Sequence, residues 1–162
     1  MPTISTVLAT FVHPMEGTQV TAVTDSGFPV SFDTLSAEEG GAASSPTETV
    51  LAALAACTAM DVASILRKKR QRVDRYQVSV RAVKADENPR VFTSIVVEHQ
   101  VSGQVSAEAL RRSIELSATA YCPVSAMLSA SVSIEHRYRI QQDGEADVAE
   151  STLAVATGPD VR

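Results

Sequence analysis

Two cysteines, Cys57 and Cys122, are the residues of this chain best suited to chemistry. The thiolate is the reactive form of cysteine, so each position is judged by what its surroundings do to a thiol. Cys57 lies in Ala55-Ala56-Cys57-Thr58-Ala59, in the middle of an apolar stretch, and by itself reads as a small hydrophobe. Cys122 precedes Pro123 at the start of a short helical segment. There its sulfur would lie near free backbone N–H groups, which favour a thiolate; the structural reading is an indifferent cap. If the chain resides in a reducing compartment, a disulfide between the two would be catalytic or redox-sensing more often than structural.

Other candidates have stronger structural readings. Ser45-Pro46-Thr47-Glu48 combines an N-cap serine, a proline at the first helical position and a glutamate at the third, so Glu48 completes a capping box. His13, His99 and His136 fall on predicted strands or their ends, two of them on inward-reading faces, and read as core histidines. No Cys/His spacing resembles a zinc site, so no metal or other cofactor is expected. The basic run from Arg67 to Arg75 reads as a helix end and a solvated face.

These residues need a scaffold. Residues 4–12, 18–24 and 28–33 read as strands, with Asp25-Ser26-Gly27 turning between the second and third. A loop over 34–44 leads to a helix from Ser45 to about Arg70, whose Val50–Ile65 portion is apolar on nearly every face. Tyr76, Val78, Val80 and Ala82, then Ile95, Val97 and Val101, alternate as a strand pair joined by Asp86-Glu87-Asn88-Pro89. Ala107, Leu110, Ile114 and Ala118 mark an amphipathic helix over 106–120. A short helix follows from Cys122 to about Ser129. Val132, Ile134, His136, Tyr138 and Ile140 mark a last strand. Residues 141–162 are acidic and aperiodic, so a loosely docked tail is expected after a single domain spanning 1–140.

The fold class is therefore α+β. One helix apolar all round needs cover on every side, which an intertwined homodimer supplies better than one chain. At 162 residues, 44% hydrophobic and with no tryptophan, the core must come from Ala, Val, Ile and Leu. The net charge of −5 is uneven, with no Lys or Arg before Arg67 and thirteen basic against seven acidic side chains over 67–140. An acidic chain argues against a nucleic-acid partner. Val50–Leu66, alanine-rich and interrupted by Asp61 and Ser64, reads as short for a membrane span. No secretory signal opens the sequence, so the expected location is cytoplasmic.

Two motifs together resemble the OsmC/Ohr family. Ser45-Pro46-Thr47-Glu48-Thr49-Val50-Leu51-Ala52-Ala53-Leu54-Ala55-Ala56-Cys57 is similar to its central-helix signature, and Tyr121-Cys122-Pro123-Val124-Ser125 to its second. The element order agrees over roughly residues 5–140. Asp61-Val62-Ala63-Ser64-Ile65-Leu66-Arg67-Lys68 resembles the YhfA-like branch. The resemblance implies an OsmC-like fold: an intertwined homodimer with two antiparallel-rich sheets around buried central helices. It implies a thiol-dependent peroxidase reducing organic hydroperoxides, with Cys57 attacking, Cys122 resolving and a dithiol as reductant. Two positions depart from the peroxidase pattern. The usual N-terminal arginine has no counterpart before Arg67, and the glutamate expected after the helix-opening proline is Thr47, with Glu48 one residue later. A dimeric small-ligand-binding or redox-sensing protein without catalysis is the alternative.

Overall fold

A computed structural model describes residues 5–13, 16–141, 151–159 and 161. Its contacts group the chain into two compact units, Met1–Val50 and Leu51–Arg162.

The first unit is a three-stranded antiparallel meander of β1 (Val7–Phe11), β2 (Val20–Thr24) and β3 (Pro29–Phe32). Gly27 supplies the positive φ of 82° that the turn between β2 and β3 requires. Register places Phe11, Val20 and Phe32 in one row and Ala9, Ala22 and Val30 in the next, on one apolar face. Of the large apolar side chains here, Val7, Leu8, Phe11 and Phe28 are exposed. The loop after β3 is organised by buried Asp33, whose carboxylate accepts from the Thr18 hydroxyl at 2.5 Å, Thr34 N at 2.7 Å and Ala42 N at 3.1 Å. These bonds, that of Thr18 foremost, hold its carboxyl down to about 2.

Helix α1 (Pro46–Lys68) begins as its sequence requires. The Ser45 hydroxyl and N–H reach Glu48 Oε2 at 2.7 and 2.8 Å, and Glu48 N reaches Ser45 Oγ at 3.3 Å. Its end carries Arg67 and Lys68, which suit the negative pole of the dipole.

The second unit is a four-stranded sheet in the order β4 (Arg72–Lys84), β5 (Phe92–Gln104), β6 (Ser133–Gln141), β7 (Thr152–Thr157). The β4–β5 and β6–β7 pairs are antiparallel and β5–β6 is parallel. A parallel pair needs a long crossover. Here it is α2 (Ala107–Leu116), a π-helical turn (Ser117–Tyr121) and α3 (Pro123–Ser129). Only one stripe of α1 is buried, Leu54, Thr58, Val62 and Leu66, each four residues from the last. It contributes to two core clusters. Val62 and Leu66 join Val101, Leu110 and Ile114, while Leu54 joins Ile95, Val97, Val132, Ile134 and Cys122.

Two expectations need correction. The tail expected to be loosely docked instead supplies β7, whose Ala154 and Val155 pack on the core; the sequence carries too few large apolar residues there for the strand to announce itself. Residues 142–150 of that tail lie outside the described ones. Within one chain α1 is buried along that stripe alone, and its Val50 and Met60 are exposed. And α1, at 23 residues, is by length and composition long and apolar enough to cross a membrane, although its buried stripe is what a core helix displays.

Candidate functional site

Helix α1 carries Cys57 and Asp61 one turn apart and therefore on one face, beside the buried Thr58. The π-helical turn widens the end of α2 by one residue and brings Cys122 to the head of α3. Pro123 opens α3 where a missing N–H costs nothing, and Cys122 caps it, its Sγ accepting from Ser125 N at 3.3 Å. One ligand-type atom from each of Cys57, Asp61 and Cys122 lies within 4.8 Å of the other two. Both cysteines are free thiols, Cys57 partly exposed and Cys122 only 2% exposed.

The N-cap position does not make Cys122 the readier thiolate that its sequence context suggests. Burial, followed by the hydrogen bond with Cys57, pushes its pKa up to about 11. The Ser125 and Val124 N–H groups pull the other way and are outweighed, and among the described residues no cation is in the set that acts on it. Leu51, Leu54, Val124 and Leu128 belong to the same apolar cluster as the two sulfurs. Asp61 is oriented by the buried Ser117 hydroxyl, which donates to its Oδ2 at 3.0 Å and lies 3.1 Å from Thr58 Oγ1.

A second polar group crosses the core beneath this face. Tyr76 Oη lies 2.7 Å from His99 Nδ1, and His99 Nε2 lies 3.3 Å from His136 Nδ1, linking β4, β5 and β6. The tautomers of the two rings decide which partner donates in each contact. Both histidines are fully buried, and burial holds their pKa values down to about 3 for His99 and about 4 for His136. Burial first, then the charge of Asp61, raises the pKa of Tyr76.

The sequence-derived candidates thus separate. Cys57 and Cys122 come together across 65 residues. Glu48 serves the capping box; nine residues before Cys57 on one helix, it stands about 13 Å away along the axis. His99 and His136 are core histidines, as read. Asp61 was not singled out as a site residue; its i,i+4 spacing from Cys57 was the available signal.

In this α+β fold a helix and a helix cap bring two free thiols together. Residues 39–137 match the family model described as OsmC-like protein, and the chain belongs to that family. It is 37% identical over 127 residues to Protein YhfA of Escherichia coli (strain K12), covering 78% of this chain and 92% of YhfA. An OsmC-like protein from Mycoplasma pneumoniae has the same fold, with a TM-score of 0.74 at 15% identity over 86% of this chain and 99% of that one. The organic hydroperoxide resistance protein OhrB of Bacillus subtilis superposes with a TM-score of 0.56 at 20% identity, covering 84% of this chain and 98% of OhrB.

Proposed function

We propose that this protein is a thiol-dependent peroxidase that reduces organic hydroperoxides through Cys57 and Cys122. The observation that carries the reading is the two free sulfurs within 4.8 Å of each other, against an apolar cluster. Membership of a family that includes organic hydroperoxide resistance proteins supports it.

Cys57 is the attacking thiol, because it is the more exposed of the two. Its thiolate displaces alkoxide from the peroxide O–O bond, becoming a sulfenic acid, and the alkoxide takes up a proton to leave as the alcohol. Cys122 then attacks that sulfur, expelling water and closing a disulfide. The sulfurs must approach from within 4.8 Å to about 2 Å for the disulfide to close. An external dithiol returns both to thiols and leaves as its own disulfide. Leu51, Leu54, Val124 and Leu128 favour an alkyl peroxide over hydrogen peroxide, at about 25 cal/mol per Å² of apolar surface buried.

The working unit is a homodimer. Val7, Leu8 and Phe11 on the meander, and separately Val50 and Met60 on α1, are exposed apolar side chains that a second copy would cover. The absence of Lys and Arg before Arg67 favours a second reading, a redox-sensing or ligand-binding protein whose cysteines oxidise slowly. Adding one equivalent of cumene hydroperoxide to the reduced protein separates the two. Rapid loss of both thiols per chain with release of the alcohol supports the peroxidase; thiols that persist as long as those of free cysteine refute it.

A further inference from the structure

The peroxide chemistry leaves Asp61 without a task, yet this carboxylate is held beside the sulfurs. We propose that the reduced protein binds one thiophilic divalent metal ion of the zinc type through Cys57 Sγ, Cys122 Sγ and an Asp61 carboxylate oxygen. Three observations lead there.

The first is geometry. The three donor atoms lie within 4.8 Å of one another, and Cys57 and Asp61 present theirs from consecutive turns of one helix. Zinc bonds to sulfur at about 2.3 Å and to carboxylate oxygen at about 2.1 Å, so tetrahedral ligand atoms sit some 3.5–3.8 Å apart. Small side-chain rotations close that gap. The second is support: the Ser117 hydroxyl, itself buried, fixes Asp61 through Oδ2, as outer-sphere partners of metal-binding carboxylates do. The third is charge. Two thiols and a carboxylate converge, a donor set that gathers negative charge once its thiols ionise. A dication offsets that charge.

Three protein ligands leave a fourth position for water or an exogenous ligand, and partial exposure of Cys57 and Asp61 leaves that position reachable. Each thiol gives its proton to solvent on binding, so metal uptake releases protons. Binding also requires both thiols reduced, so ion and disulfide exclude each other. A Cys-x-x-x-Asp pair completed by a distant cysteine matches no Cys/His zinc spacing, so local sequence does not announce the site.

The inference does not rest on the peroxidase reading and is tested without peroxide. Reduced protein is titrated anaerobically with cobalt(II), and zinc is then added to displace it. The expected result is a 1:1 complex with the intense visible bands of tetrahedral cobalt, sulfur-to-cobalt charge transfer in the near ultraviolet, and proton release. Cys57→Ser and Cys122→Ser should each lose most of the charge-transfer band. Asp61→Asn, which preserves shape and hydrogen bonding and so tests the site even if a cysteine variant fails to fold, should weaken affinity about tenfold or more. Absence of a stoichiometric tetrahedral spectrum in the wild type overturns the proposal. So does an Asp61→Asn variant that binds as tightly as wild type, or a folded cysteine variant with an unchanged spectrum.

Discussion

Lowering the pH from 7 to 5 should destabilise this protein by about 3–4 kcal/mol through His99 and His136 alone. In the unfolded chain each imidazole titrates near 6.5. In the folded chain burial holds them at about 3 and about 4. Between those limits the unfolded state binds protons that the native state refuses, so stability is complete above pH 6.5 and is lost as pH falls toward the folded values. At pH 5 an unfolded histidine is almost fully protonated and a folded one almost fully neutral. Each therefore contributes about 2 kcal/mol at about 1.4 kcal/mol per pH unit. The groups facing the pair are Tyr76, hydrogen-bonded to His99, and Asp61, whose charge acts on Tyr76. Tyr76 is shifted upward from 10 and so stays neutral throughout this window. Asp33, lowered from 3.8 to about 2, acts the same way but only below pH 4, so the windows separate. Urea unfolding at fixed protein concentration, run at half-unit steps from pH 7.5 to about 4.5, measures the slope. Replacing Tyr76, His99 and His136 together by Phe should flatten it, whatever that does to stability at pH 7. A wild-type loss below about 1 kcal/mol by pH 5, or a triple variant with the same slope, would refute the reasoning.

Leu54→Ala removes a fully buried side chain from the cluster that also holds Cys122, and should cost about 2–5 kcal/mol in urea unfolding. Truncation after Gln141 strips β7 from the edge of β6, and should lower the urea midpoint and raise aggregation by exposing an unpaired strand; an unchanged midpoint would restore the loose-tail reading. Sedimentation at micromolar concentration should give a dimer, since an apolar helix and meander left open in one chain call for an interface at least as large as the standard ~1,600 Å²; a well-folded monomer would contradict this.

What the sequence made legible follows from where information is local. The α1 start is readable because the capping box lies in four consecutive residues, and β4, β5 and β6 because apolar residues alternate over Tyr76, Val78, Val80 and Ala82, over Ile95, Val97 and Val101, and over Ile134, His136, Tyr138 and Ile140. Strand β7 was not, since Thr-Leu-Ala-Val-Ala-Thr follows an acidic stretch and owes its place to pairing with β6. The two cysteines were found as types, but their proximity depends on the crossover through α2, the π-turn and α3, which no local pattern encodes. The upward shift of Cys122 is illegible for the same reason: the helix N-terminus is visible in Cys-Pro, while the burial that outweighs it is a property of the whole core.

The central claim is that Cys57 attacks and Cys122 resolves. The most direct test is to mix each single variant with an alkyl hydroperoxide in a stopped flow and identify the product by mass spectrometry. Cys122→Ser should react rapidly and accumulate a sulfenic acid on Cys57 without an intramolecular disulfide, and Cys57→Ser should lose the fast phase. A fast phase that survives in Cys57→Ser and vanishes in Cys122→Ser would contradict the assignment, and its absence from the wild type would contradict the peroxidase itself.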